Sequence, residues 1–172
     1  LLVGMLSALL HARETGEGQV VDAAMSDGAA SLMAMFYGLK SGGAWTDERA
    51  NNVIDGGAPF YGTYRCKDNR WVALGSIEPQ FFKELLENLG INDFPLERQN
   101  DRELWPEMRT RFETAFLTRT RAEWVEIMEG GDACFAGIIG LDEAPNHPHN
   151  LARQTFVTID DVIQPAPAPR FS

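Results

Sequence analysis

The sequence has little with which to staple itself or to bind a metal. Its 172 residues hold two cysteines, Cys66 and Cys134, and three histidines. A single long-range bridge does not make a disulfide framework, so both cysteines are expected as reduced, buried thiols. His11, His147 and His149 have no partner ligands at binding spacing, so no metal is expected. His147-Pro148-His149 reads instead as a loop with solvated or capping imidazoles. Basic residues are also scarce: 15 Lys and Arg stand against 25 Asp and Glu, a formal charge of -10. Such a surface repels a polyphosphate backbone, which argues against nucleic acid as a partner. No apolar run approaches the ~20 residues of a membrane-crossing helix, so no membrane association is expected. Leu1 to Leu10 is leucine-rich but lacks the small-residue cleavage pattern of a signal peptide. Because the sequence opens in helical pattern without a methionine, it is expected to be the later part of a longer chain.

What is present suffices for a globular unit. Hydrophobic residues make up 44% and charged residues 23%, so disorder is not expected over most of the length. Leu1, Leu2, Met5, Leu6, Leu9 and Leu10 recur at spacings of three and four, predicting an amphipathic or buried helix that Gly16 caps. Gly18 to Ala23 reads as a short strand-like step. Ser26 is placed to cap a second helix running to about Lys40, whose Leu32, Met33, Met35, Phe36 and Leu39 leave only a narrow polar face. Residues 41–60, rich in Gly, Asn and Asp, show no sustained period and read as a long connection.

From Tyr61 the pattern alternates. Tyr61 to Cys66, a Lys67-Asp68-Asn69 turn and Arg70 to Leu74 predict a β-hairpin. Three helices should follow. One has Pro79 in its first turn and stops at Gly90, a second starts near Asp101, and a third opens on the capping-box pattern Thr120-Arg121-Ala122-Glu123. A buried strand is expected at Ala133 to Ile139, then an extended, proline-rich tail from Gln164. Trp45, Trp71, Trp105 and Trp124 are assigned to packing. The fold class is α+β: a small domain with an antiparallel hairpin and packed helices at 61–145. Before it come the end of a larger domain at 1–25 and a linker helix and loop at 26–60, and a returning linker at 146–172 follows it.

Three segments together resemble one family. Gly16-Glu17-Gly18-Gln19-Val20-Val21-Asp22-Ala23-Ala24-Met25 is similar to a segment of the class III CoA-transferase family. Asp55-Gly56-Gly57-Ala58-Pro59-Phe60-Tyr61, followed by Ile77-Glu78-Pro79-Gln80-Phe81, resembles its alpha-methylacyl-CoA racemase branch. Asn146-His147-Pro148-His149 and Ala168-Pro169-Arg170-Phe171-Ser172 fit the later part of the same family. Gly137 departs from the pattern, standing where the family usually has proline.

The resemblance implies a Rossmann-like large domain that holds CoA, a small domain, and linkers that interlock two subunits into a homodimer, in a cytoplasmic enzyme. The substrate would be an acyl-CoA thioester, with coenzyme A part of the substrate and no separate cofactor. It also implies that the proton-transferring aspartate lies just ahead of the segment matching Leu1-Leu2-Val3-Gly4, and the histidine further upstream. Glu78 matches the acid that hydrogen-bonds that histidine. From spacing alone, an ordinary acid at a helix N-terminus, favoured by the helix dipole, is the better reading of Glu78, and the resemblance reverses that order.

Racemisation beside a thioester needs a base on each face of the α-carbon and a stabilised enolate oxygen. Glu78 would orient the imidazole and stabilise its protonated form. Gly56 and Gly57 offer backbone N–H groups to a ligand, or simply form a turn with Asp55. Tyr61 and Ile77 are candidates for the acyl pocket, as are Met25 and Met35, whose pliant thioethers suit a shifting acyl chain; core packing is the competing role for each. Two other readings compete. In a CoA-transferase of the same family the aspartate becomes an acyl-anhydride nucleophile, and in a non-enzymatic reading the chain is an inactive self-associating module.

Overall fold

The computed structural model describes residues 1–170; Phe171 and Ser172, the end of the last family-like segment, lie outside the described residues. The chain divides into a first unit, Leu1–Glu48, and a second that begins at Arg49.

In the first unit, α1 (Leu2–Thr15) ends as its sequence predicts. Gly16 takes the left-handed conformation at φ 78° and donates its N–H to the Ala12 carbonyl, a conformation that costs glycine nothing. Residues 17–24 form no strand, against the strand-like reading of Gly18 to Ala23. The expected single helix from Ser26 is two, α2 (Met25–Leu32) and α3 (Ala34–Ser41). Ser26 does not cap: it sits inside α2, whose N-cap is Ala24. The break falls at Met33, whose N–H is shared between the Ala29 and Ala30 carbonyls at 3.2 and 3.1 Å, the tightening common at a helix end. Phe36 packs edge-on against Trp45, centroids 4.8 Å apart. No residue of this unit is buried, so its apolar stripes face solvent.

The second unit is built on a three-stranded antiparallel sheet in the order β1 (Tyr61–Arg65), β2 (Trp71–Gly75), β3 (Phe135–Gly137). The predicted hairpin is present, with Asn69 at φ 62° in its turn and Tyr61 paired with Gly75. Period-two alternation turns Tyr64, Val72 and Leu74 inward. Onto that face pack α4 (Pro79–Leu89), α5 (Trp105–Phe116) and α6 (Arg121–Met128), through Phe82, Leu85, Leu86, Met108, Phe112, Phe116, Trp124 and Met128. The capping box at Thr120 and Glu123 forms in both directions and satisfies two of the backbone donors left orphaned at a helix start.

Aromatic contacts fill the centre. Tyr64 stacks on Phe116 at 5.2 Å and meets Phe112 edge-on at 5.9 Å. Phe60 lies edge-on to both Phe82 and Trp105. The buried Tyr64 hydroxyl donates to the Pro59 carbonyl at 2.6 Å, which satisfies a polar group that would otherwise be costly inside.

Several expectations fail for local reasons. The strand expected at Ala133 to Ile139 has only three paired residues, and Ile138 and Ile139 are exposed, because β3 is a short edge strand. Cys66 is buried as expected, but Cys134 is exposed and carries φ 49°. Trp71 is 45% exposed and is not a packing residue, since it points to the outer face of the hairpin. The helix expected from Asp101 starts at Trp105, after a turn. A second hairpin, β4 (Phe156–Ile159) with β5 (Val162–Pro165), went unforeseen. Its two turn residues, Asp160 and Asp161, have φ 49° and 62°, as a tight hairpin turn requires, without the glycine that announces one. It follows a short helix, α7 (Pro148–Ala152).

An ion-pair cluster closes the edge of the sheet. Arg121 of α6 binds Glu143 at 2.6 Å, Arg70 binds the same carboxylate at 3.0 Å, and the Gly140 N–H donates to it at 2.9 Å. The hydrogen bond from Arg121, with help from Gly140, holds the Glu143 carboxyl down at about 2, below its ordinary 4.5. A depressed folded-state pKa contributes stability that is complete above the unfolded value and is lost as pH falls through the folded one. Urea midpoints measured at about pH 5 and about pH 2.5 should therefore fall further for the native chain than for Glu143→Gln. Equal falls would remove Glu143 from the acid response.

Candidate functional site

Glu78 is the N-cap of α4, at φ -74° and ψ 142°, yet its side chain makes no capping hydrogen bond. It is exposed, and none of the six ion pairs among the described residues includes it. Pro79 at the first helical position presets the helix start. The carboxylate is thus presented outward from a fixed helix start, with its own helix making no use of it.

The backbone leading to Glu78 is held firmly. Ser76 is fully buried; its N–H donates to the Phe60 carbonyl at 3.0 Å and its hydroxyl to the Ala133 carbonyl at 2.6 Å. Ile77 donates its N–H to the Gly75 carbonyl at 2.9 Å, a tight turn off the end of β2, and leaves its side chain 38% exposed. Tyr61, also 38% exposed, pairs with Gly75 across the sheet. The fold thereby brings Tyr61, Ile77 and Glu78 to one end of the first hairpin.

An open cavity of about 540 Å³ adjoins this end, lined by Ile54, Gly56, Tyr61, Gly62, Leu74 and Arg109 among others. Gly56 is exposed on its wall at φ 95°. Gly57 is different: it is buried, and its N–H donates to Asp55 at 3.1 Å, so that donor is not offered to a ligand. The Asp55 carboxylate also accepts from the Asn52 backbone at 2.9 Å and from the Asn52 side chain at 2.7 Å. These hydrogen bonds hold the Asp55 carboxyl below the usual range in spite of the opposing effect of desolvation. Asp55-Gly56-Gly57 is therefore a self-tied turn with one open glycine.

Arg109 was not apparent from sequence. Its guanidinium donates to the Gly56 and Gly57 carbonyls at 2.8 and 3.1 Å and lies over the Tyr64 ring at 6.0 Å. On the amphipathic pattern of α5 it reads as one more surface arginine, and only the tertiary fold lays it against the loop. Met25 and Met35 belong to the first unit, 92% and 56% exposed, and do not line this cavity. Among the described residues no group of acids, histidines and cysteines could hold a metal ion, and no helix is long and apolar enough to cross a membrane.

The sequence pattern of CoA-transferase family III matches residues 1–172, and the chain belongs to that family. Within it, the chain is 39% identical to human alpha-methylacyl-CoA racemase over 168 residues, covering 97% of the chain and 44% of that relative. The mouse alpha-methylacyl-CoA racemase is likewise 39% identical, over 171 residues, with 45% of its length covered. A succinyl-CoA–L-malate CoA-transferase alpha subunit from Chloroflexus aurantiacus is 27% identical over 188 residues, with 42% of its length covered. The chain thus spans less than half the length of these relatives. The fold is shared with the crystal structure of Rv3272 from M. tuberculosis, at a TM-score of 0.71 and 18% identity, over 99% of this chain and 44% of that one. A CAIB/BAIF family protein from Brucella suis matches at 0.63 and 19%. The mixed helices and small antiparallel sheets agree with the expected α+β class.

The loop that carries Gly56 is sterically closed beneath. A Cβ on Gly57 would lie 2.6 Å from the Asn52 carbonyl oxygen and 2.8 Å from the Ala50 carbonyl oxygen, and backbone cannot swing aside as a side chain can. Gly57→Ala should cost about 1–3 kcal/mol in urea denaturation, the usual range for overpacking. A change within ~0.5 kcal/mol, typical of unconstrained surface positions, would show that the loop yields.

Proposed function

We propose that this chain supplies the supporting part of an acyl-CoA racemase site. The reaction is epimerisation of a 2-methylacyl-CoA thioester: one base removes the α-proton, an enolate forms, and the conjugate acid of a second base returns a proton to the opposite face. The two proton-transferring groups, a histidine and an aspartate, come from outside these 172 residues. Glu78 accepts the second imidazole N–H, fixing its tautomer and stabilising the imidazolium that forms on proton transfer.

The observation that carries this reading is the unspent carboxylate. Glu78 stands on a fixed backbone at a helix start, exposed, without a capping bond or ion pair, inside a segment that resembles the racemase branch. The 39% identity to the human racemase supports it. Tyr61, Ile77 and Gly56, with the apolar cavity wall of Ile54 and Leu74, form the acyl surface; Met25 and Met35 are separate candidates for contact with the acyl chain. Gly57 shapes the loop from below. Coenzyme A enters as part of the substrate, in a cytoplasmic setting where both thiols stay reduced. In the transferase reading an aspartate attacks the thioester as nucleophile, and Glu78 has no imidazole to orient.

The test is α-proton exchange into deuterated water on a 2-methylacyl-CoA by the complete enzyme. Glu78→Ala should slow exchange on the order of 10²-fold, the lower end of what positioned proton-transfer groups contribute. Exchange at the native rate would take Glu78 out of the mechanism.

The second reading is self-association through the first unit. Its support is that residues 1–48 include no buried residue while Leu2, Leu6, Leu9, Met25 and Leu32 are all more than half exposed, an apolar surface of the kind that marks association sites. It is compatible with an interlocked homodimer in the complete enzyme. Light scattering on the purified 172-residue chain should give a dimer or larger species; a monodisperse monomer would end that reading.

A further inference from the structure

The groups that fix Glu78 do not lie on its own helix. Gln99 follows a 3₁₀ turn at Leu96–Arg98 and is only 3% exposed. Its side-chain Nε2 donates to the Ser76 carbonyl at 3.0 Å and to the Ile77 carbonyl at 2.9 Å. An amide nitrogen has two hydrogens to give, and both go to the two residues just before Glu78. Gln99 is anchored in turn: its own carbonyl accepts the Trp105 indole N–H at 3.0 Å, and Trp105 is buried at the start of α5.

An apolar side chain of similar size could fill this space, but it would leave the Ser76 and Ile77 carbonyls without these donors. The Ser76 N–H and hydroxyl are committed elsewhere, to Phe60 and Ala133. The segment from Gly75 to Pro79 is therefore tied at each residue: Ser76 by three bonds, Ile77 by two, and Pro79 by its ring. The Glu78 backbone is held as well, its carbonyl accepting the Phe82 N–H at 3.0 Å, while its carboxylate makes no capping bond.

We propose that Gln99 is a positioning residue for Glu78, clamping the Ser76 and Ile77 carbonyls so that the carboxylate leaves the end of β2 along a single backbone path. This rests on the reading of Glu78 as the acid that orients a histidine. The clamp acts on geometry: a carboxylate that wanders by an ångström loses much of its hold on an imidazole.

The experiment is a double-mutant cycle in the complete enzyme, followed by α-proton exchange of a 2-methylacyl-CoA. Gln99→Met keeps the length and removes both donors, and Glu78→Gln removes the carboxylate. Gln99→Met alone should lower kcat about tenfold with KM within about twofold, a tenth of what a full misplacement can cost. With Glu78→Gln already present, Gln99→Met should add little further loss, since both act through one group. The limb of the pH–rate profile that belongs to the histidine should move the same way in both single variants. Where Gln99→Met does not purify as a folded protein, Gln99→His, which keeps one donor, enters the same cycle with a smaller expected loss. If either Gln99 variant leaves kcat at the native value, or slows the enzyme by the same factor with and without Glu78, Gln99 serves the fold alone and the inference fails. If Glu78→Gln itself exchanges at the native rate, the reading of Glu78 fails first, and a slow Gln99 variant then cannot be acting through it.

Discussion

The constraint from which the second unit is built is the burial of Tyr64. A phenol at the middle of β1 has to place a large ring in the core and still satisfy its hydroxyl. The ring settles between Phe112 and Phe116 of α5, and the hydroxyl reaches back to Pro59. Those two requirements set where α5 crosses the sheet and how the chain enters β1. Burial pushes the phenol's pKa far up, with the Glu113 charge adding and the Arg109 charge opposing, so the group is a neutral donor throughout the working range. Arg109, brought over the same ring, can then bind the Gly56-Gly57 loop, and Phe60, next to Pro59, supplies the carbonyl for Ser76. The cavity wall and the start of α4 both depend on that one ring.

How much of this was legible follows the range of the interactions. Elements fixed by near neighbours were readable: the first hairpin by alternation and its Lys67-Asp68-Asn69 turn, α4 by Pro79 and Gly90, α6 by the Thr120 and Glu123 box. The β4 and β5 hairpin is marked less strongly, because Asp160 and Asp161 both adopt left-handed backbone without the glycine that makes the strongest two-residue hairpin signal. The helix break at Met33 has no proline or glycine at the break itself. Within the site, Ile77 and Glu78 stand in one motif and Gly56 and Tyr61 in another, so all four are legible in local sequence. Gln99 and Arg109 bind backbone 22 and 53 residues away, and no local pattern sets either apart from any other polar residue.

The two units differ in how their sequence and structure agree. In the second, the helix positions Phe82, Leu85, Leu86, Met108, Phe112, Phe116, Trp124 and Met128 are buried as their period predicts, while Trp71, Ile138 and Ile139 of the predicted strands are not. In the first, the same periodic logic correctly predicts helices, but the faces it marks as apolar remain open to solvent. A helix of that composition carries its stabilisation in whatever covers it. The propensity of α1, with its glycine stop, is enough to define its ends, and its leucines remain more than half exposed.

The two cysteines, which the composition treats alike, end in opposite circumstances. Cys66 is sealed in the core, its thiol pushed up to about 11 by burial. Cys134 is open to solvent, and after partial desolvation the largest influence raising its thiol is the negative charge of Glu78. The difference is one of access: a thiol reagent meets Cys134 in the folded chain, where its backbone carbonyl accepts the Gly75 N–H at 2.8 Å beside the end of β2, while Cys66 is reached only on unfolding.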